Sequence, residues 1–393
     1  MSPQPSVGWK HSLICPPGRV LNGLNRLLHL PLLAPLLSAL YWAALSLLAP
    51  LAALFLLCAG AVGAWRDALS KQAKPTDRAR LAVLITGCDS GFGRSLASEL
   101  SGRGYTVFAG CIGPSARGKE GEACSDEGLQ ECKLDVTSDA DVDSAVERVR
   151  HWVDAVPGRR LLAVVNNAGV GAGGMCDWIT MQDYERDVAV NYIGVVRVCK
   201  AFLPLLRRSS LEAQNRSGAA PRIVVVASMS GKLPVPMLSS YAASKHAVAA
   251  FAACLRMEIS SLWGIHVCTA LPSFHTTPLT QSGEKVIKQT WERLPSHTKS
   301  LYGDECATSC FDIVKSMMSD FAWEPARVTE GLARVVSSVN PPPSELVIGG
   351  DALYGLMVLR HLPADLLEKI IWWSVMWQLH MPCRAQSGVG KEK

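Results

Sequence analysis

Tyr241 and Lys245 stand four residues apart, a spacing that places both side chains on one face of a helix. A phenol titrates near pH ~10, so it serves as acid or base at neutral pH only where a positive charge stabilises the phenolate. Lys245 can supply that charge. Ser228, thirteen residues before Tyr241, can hydrogen-bond an oxygen that gains or loses a proton. Further upstream, Thr86-Gly87-Cys88-Asp89-Ser90-Gly91-Phe92-Gly93 follows an apolar run and leads into a helix-forming segment from Arg94. Its glycines permit unusual dihedrals and let backbone N–H groups at a positive helix end approach a pyrophosphate. Taken singly, each pattern also has a structural explanation: a surface helix can carry Y-x-x-x-K, and a glycine-rich turn can simply redirect the chain.

The elements that must position these residues show as apolar runs at 81–85, 105–111, 161–165, 223–226 and 265–271, separated by helix-length segments. Such alternation predicts a parallel sheet wound with helices, with the glycine turn at a strand-to-helix junction and Ser228 at a strand end. The segment RRSSLEAQNRSGAAP before Arg222 is polar and carries Gly, Ser and Pro, and reads as a surface loop. It holds the sequon Asn215-Arg216-Ser217, usable only on a lumenal face. No internal repeat occurs.

With 19% charged and 49% hydrophobic residues, the 393-residue chain is neither disordered nor collagenous, and it has an apolar excess to place. A net charge of +5 without a dense basic stripe gives no reason to expect a nucleic-acid partner. The 13 cysteines form no C-x-x-C pair and no Cys/His cluster at zinc spacing, which fits a reducing compartment and no structural metal. The apolar excess sits at 30–65, 36 positions without a charge, where about 20 suffice to span a bilayer. Pro50 divides this transmembrane segment, which is either a two-pass hairpin or one kinked helix. Lys10, Arg19 and Arg26 precede it, and Arg66, Lys71, Lys74, Arg78 and Arg80 follow, so a hairpin with both ends cytosolic satisfies both flanks. The lack of acidic residues before Asp67 also resembles a mitochondrial targeting segment. The expected organisation is an N-terminal flank (1–29), the membrane segment (30–65), a basic linker (66–80), a catalytic domain (81–345) and an amphipathic C-terminal segment (346–393).

T-G-x-x-x-G-x-G, Asn166-Asn167-Ala168-Gly169, Ser228 and Tyr241-x-x-x-Lys245 occur together in an order and spacing that resembles the short-chain dehydrogenase/reductase family. The resemblance is strong from about 81 to 280. It implies an α/β, Rossmann-type doubly wound parallel sheet, a nicotinamide cofactor and alcohol–carbonyl chemistry. By the same resemblance Tyr241 is the general acid/base, Lys245 lowers its pKa and holds the nicotinamide ribose, Ser228 meets the substrate oxygen and Asn191 holds a proton-relay water. Thr86, Gly87, Asp89, Ser90, Gly91, Phe92, Gly93, Asn167, Ala168 and Gly169 are then cofactor contacts, with Asp135 at the adenine and Thr277 at the carboxamide. One departure from the family pattern is Pro272-Ser273, where Pro-Gly is usual.

The wording TGCDSGFG, with Val107-Phe108-Ala109-Gly110, resembles a branch holding 11β- and 17β-hydroxysteroid dehydrogenases of type 2, retinol dehydrogenases and 3-hydroxybutyrate dehydrogenase. Asp89 puts a carboxylate near the adenosine ribose and repels a 2′-phosphate, which favours NAD over NADP. Arg117 or Lys119 could meet such a phosphate, and the second strand lacks its usual acidic end. The double-length apolar N-terminus and the segment 231–238 resemble the steroid enzymes most. Residues 278–339 are the expected substrate lid, where Met317, Met318, Phe321 and Trp323 suit an apolar ligand. The Trp-rich stretch 352–381 fits either a membrane interface or packing on the domain. The expected protein is an endoplasmic-reticulum or mitochondrial membrane enzyme that oxidises a steroid hydroxyl with NAD. The alternatives are retinol or another lipid alcohol, then 3-hydroxybutyrate, then a silent nucleotide-binding protein. The family resemblance also implies a homodimer through the Tyr241 helix.

Overall fold

The computed structural model describes residues 77–113, 128–215, 219–320, 322–339, 343–349 and 361–377. The segment 30–65, the linker up to residue 76, Arg117 and Lys119 lie outside the described residues. So do residues 216 and 217 of the sequon.

Strands β1 (Leu81–Thr86), β2 (Thr106–Cys111), β3 (Leu129–Lys133), β4 (Arg160–Asn166), β5 (Arg222–Val226), β6 (His266–Pro272) and β7 (Glu345–Ile348) make one sheet. Their order is β3-β2-β1-β4-β5-β6-β7, parallel at every pairing. Five of them fall on the apolar runs, because a strand covered on both faces needs apolar residues at every position. β1, β2 and β5 are buried along their whole length. β3 and β7 lie at the sheet edges, are only partly buried, and leave no such run in the sequence.

Helices cover both faces. α1 (Gly91–Gly102) follows β1 and α2 (Asp139–Ala155) follows β3; α3 (Met181–Val188) and α4 (Val195–Asn215) follow β4; α5 (Ser239–Trp263) follows β5. Beyond β6 come α6 (Pro278–Gln281), α7 (Gly283–Glu292), α8 (Ser296–Tyr302), α9 (Asp304–Asp320) and α10 (Ala326–Ser337), with α11 (Ala364–Trp377) after β7. On one face Phe108, Val149, Phe202, Val225 and Val248 join α2, α4 and α5 to the sheet. On the other Ile85, Leu96, Leu100, Val224 and Leu332 join α1 and α10 to it. A third cluster, with Trp178, Met237, Ile287, Trp291 and Cys310, lies beneath α7–α9.

Two expectations change here. The helix α4 continues through Arg207 to Asn215, so most of the expected surface loop is helical. Its serines turn inward: Ser209 Oγ accepts from the Leu161 N–H at 3.1 Å and Ser210 Oγ donates to the Trp263 carbonyl. Among the described residues one helical run is long and apolar enough to cross a membrane, Met181–Gln214. Its apolar side carries Val198, Phe202 and Leu206 into the sheet core, which makes it a core element of the domain. In α11, Leu367 packs against that core while Leu366 is exposed.

The strand order reverses between β1 and β4, which opens a crevice at the carboxyl ends of the strands. Farther along the sheet, Arg222 of β5 is fully buried and donates to the carbonyls of Val335 and Ser338, both at 2.7 Å, at the end of α10. Its second Nη donates to Ala220 at 2.8 Å, and burial lowers its pKa to about 10. Replacing Arg222 with Met removes these hydrogen bonds, and the expected loss is about 3 kcal/mol in chemical denaturation of the full chain. An unchanged midpoint would contradict this role for Arg222.

Candidate active site

Ser228 lies just past β5, where it caps a short turn, Met229–Gly231, and its Oγ accepts from the Ser230 N–H at 3.1 Å. Tyr241 and Lys245 occupy the first turns of α5, and Tyr241 lines the same cleft as Ser228. Lys245 is buried; its Nζ donates to the Val226 carbonyl at 3.0 Å and lies 5.6 Å from the centre of the Tyr241 ring. Asn191 sits in a π-helical turn, Ala189–Gly194, between α3 and α4, where the widened turn re-aims its side chain. Its carboxamide donates to the Val170 carbonyl (2.8 Å) and to Ser244 Oγ (2.9 Å), and accepts from the Val170 N–H (2.9 Å). Ser244 Oγ in turn donates to the Tyr241 carbonyl at 2.7 Å. Four side chains from three separate stretches of sequence therefore meet at the ends of β4 and β5.

Burial pushes the Tyr241 phenol above its ordinary range, and the nearby Ser228 hydroxyl opposes that shift only in part. Burial also lowers Lys245, to about 8. The sequence pointed to Lys245 as the source of the downward pull on Tyr241. In the structure the Lys245 ammonium lies beside the Tyr241 ring and is also engaged by the Val226 carbonyl.

The glycine turn is built for close approach. Gly87 has φ +69°, and a Cβ there would come within 2.7 Å of Ala168 Cα. Thr86 and Asn167 join β1 to β4: Thr86 Oγ1 accepts from the backbone N–H groups of Asn167 and Ala168, both at 3.0 Å. The Asn167 amide donates to the carbonyls of Thr86 (2.9 Å) and Gly87 (3.0 Å). Ser90 begins α1 but makes no side-chain cap, so the first-turn N–H groups around Gly91 and Phe92 are free of a side-chain acceptor and suit a phosphate group. Gly93 lies against Gly87, and the ring of Phe92 stands edge-on to His275 at 5.8 Å.

Asp89 accepts from the N–H groups of Ile112 (3.1 Å) and Gly113 (2.9 Å) just past β2. A carboxylate therefore stands at the end of β2 although that strand supplies none. Asp135 accepts from Thr137 N (2.8 Å) and Oγ1 (2.7 Å) after β3. Gly169 lies beside Asn191 and Lys245, and Thr277 caps α6. These positions ring the crevice and fit a dinucleotide.

Beside Tyr241 opens a cleft of about 960 Å³, its mouth included, lined by Val235, Pro236, Met237, Phe274, Ile287 and Val314 together with Ser228. Gly171 lets the β4–α3 segment press against Tyr241, for a Cβ there would come within 3.0 Å of the ring. Within 278–339, α7 and α9 line the cleft through Ile287 and Val314. Trp323 instead pairs its backbone with Phe274 and Thr276 and lies under Arg327. Phe321 and the side chains of Met317 and Met318 lie outside the described residues. Ser273, in the place of the usual glycine, donates its N–H to Ile348 at 3.0 Å and lines the cleft. Of two further residues at the site, one showed in the sequence only within the segment 231–238 and the other gave no signal. Met237 reaches the cleft only through a backbone at φ +65°, and Asp187 reads in sequence as one more surface charge on a polar helix.

Residues 81–287 match the family model described as short chain dehydrogenase. The chain is similar to 17-beta-hydroxysteroid dehydrogenase type 6 of Bos taurus, 33% identical over 74% of this chain and 87% of that protein. It is similar to D-beta-hydroxybutyrate dehydrogenase, mitochondrial, of Rattus norvegicus, 31% identical over 74% of this chain and 83% of that one. Retinol dehydrogenase 5 of Homo sapiens is 32% identical over 86% of this chain and 95% of its own length. With the sheet, the crevice and the relatives in agreement, the chain belongs to the short-chain dehydrogenase family and is an NAD(P)-dependent oxidoreductase acting on CH–OH groups.

Proposed function

We propose that this chain is a membrane-anchored dehydrogenase that oxidises a secondary hydroxyl of a steroid, at an 11β or 17β position, to the ketone with NAD. The observation that carries the reading is the apolar cleft directly over Tyr241 and Ser228. Among the described residues that line it none is Lys, Arg or His, so the carboxylate of 3-hydroxybutyrate would be desolvated without a partner. A steroid or retinol meets no such penalty. The segment 231–238, which lends Val235, Pro236 and Met237 to the cleft, favours the steroid. Anchoring rests on the charge-free run 30–65 and its basic flanks, which support the endoplasmic reticulum with a cytosolic domain. Exposed Leu211, Met257 and Leu262 on α4 and α5 support a homodimer through these helices.

In the oxidation, Ser228 holds the substrate oxygen and the Tyr241 phenolate accepts its proton. Lys245 keeps a positive charge below the phenolate, and Asn191 fixes the β4–α3 segment against α5. The nicotinamide, when bound, supplies the acceptor for the carbinol hydride. It would be held by Lys245 and Thr277, the pyrophosphate by the turn from Gly87 to Gly93, and the adenosine by Asp89 and Asp135. The Asp89 carboxylate at the end of β2 would repel a 2′-phosphate, which supports NAD.

Membranes carrying the full chain, offered NAD or NADP with estradiol, an 11β-hydroxysteroid, retinol or 3-hydroxybutyrate, test the reading by reduced-cofactor formation. Turnover of a steroid with NAD is expected, reduced about a thousandfold in Tyr241→Phe. Preferred turnover of retinol would move the substrate to a lipid alcohol, and preferred turnover of 3-hydroxybutyrate would overturn the reading. Asp89→Ser is expected to lower the ratio of kcat/KM for NAD to that for NADP by about tenfold. An unchanged ratio would remove Asp89 from cofactor selection.

A further inference from the structure

Asp187 is a fully buried carboxylate on α3, one helical turn before Asn191, and it belongs to none of the motifs that carry the family likeness. Its Oδ2 accepts from the Ala172 N–H at 2.9 Å and from Ser240 Oγ at 2.7 Å. Its Oδ1 pairs with Arg186 at 3.0 Å. Both Oδ2 partners matter for position. Ala172 belongs to the wall of the cleft, and Ser240 is the residue immediately before Tyr241. One oxygen atom thus joins the cleft wall to the start of α5.

The charge matters as well. Asp187 acts electrostatically on both Tyr241 and Lys245, favouring the protonated form of each. The charged and titratable groups around it are Arg186 on its own helix and Tyr241 and Lys245 on α5. Arg186 is about half exposed and also pairs with Asp183 at 3.2 Å. From the β4–α3 side the partner is a backbone N–H. A buried carboxylate is costly unless its lone pairs are satisfied, and here backbone, hydroxyl and guanidinium donors satisfy them.

We propose that Asp187 is a positioning residue for the oxidation: it ties the Ala172 wall of the cleft to the residue preceding Tyr241 and holds a fixed negative charge beside the Tyr241–Lys245 pair. The inference rests on the assignment of Tyr241 as the acid–base group. Removing a nearby negative charge favours the deprotonated forms of phenol and amine alike, so the pair releases its protons at lower pH. Oxidation requires the phenolate, and the acid limb of kcat/KM therefore moves to lower pH.

Asp187→Asn separates charge from tether, because a single amide oxygen can accept from both Ala172 and Ser240. With the full chain, NAD and estradiol as probe alcohol, this variant is expected to keep KM within about twofold and, on the acid limb, to retain roughly threefold more of its own maximal kcat/KM than wild type. Asp187→Ala also breaks the tether, and is expected to raise KM about tenfold and lower kcat. Ultraviolet titration of tyrosinate, with Tyr241→Phe subtracted, reads the same shift without any substrate. Asn-variant kinetics and titration that both superimpose on wild type would overturn the proposal. Full turnover by Tyr241→Phe would instead overturn the acid–base assignment, whatever the Asp187 variants do.

Discussion

Burying an amine and a phenol side by side is the constraint around which this domain is arranged. Neither group tolerates an apolar environment without polar partners. The carbonyl of Val226, where β5 ends, receives the Lys245 ammonium, and the Ser228 hydroxyl two residues later lines the cleft beside the phenol. The partner groups are available because parallel strands stop together at one edge of the sheet and leave their last backbone groups unpaired. The π turn at Asn191 extends the same logic to the next element. It closes the β4–α3 segment onto α5 with bonds to Val170 and Ser244, and so fixes the helix that carries Tyr241 and Lys245.

The crevice on the β1 side obeys a related rule. Thr86 and Asn167 exchange hydrogen bonds across the gap between β1 and β4, so the glycine turn and the acid–base corner are held by one rigid seam. A dinucleotide bound as proposed would run along that seam from Asp89 at the end of β2 to Lys245 on α5. The substrate side is contributed by later sequence: α7, through its Trp291, and α9 pack with Trp178 and close an apolar wall beside Tyr241. Polar chemistry at the floor under an apolar wall is what a lipophilic alcohol requires, since its hydroxyl alone must leave water's hydrogen bonds.

Much of this was legible in the residues. The run 81–85 reads as a strand because every position of β1 is covered, Tyr241 and Lys245 share a helix face as their spacing implied, and Ser228 and Asn191 lie near them as the family resemblance implied. β3 escaped notice because an edge strand of sequence LQECK needs no continuous apolar side. The end of α4 was misread because Ser209 and Ser210, residues typical of loops, here face inward and bond Leu161 and Trp263. Asp187 could not be found from its neighbours in sequence, for only the fold brings Ala172 and Ser240 onto its oxygen.

The central claim is that a hydride leaves the carbinol carbon of a lipophilic alcohol while Tyr241 takes the hydroxyl proton. The most direct measurement follows deuterium placed at C17 of estradiol during oxidation by the full chain with NAD. The account predicts that the label passes into the reduced nicotinamide, with a primary isotope effect on kcat/KM and none of the label in solvent. Label released to water, or transfer that proceeds at the same rate when Tyr241 is Phe, would contradict it.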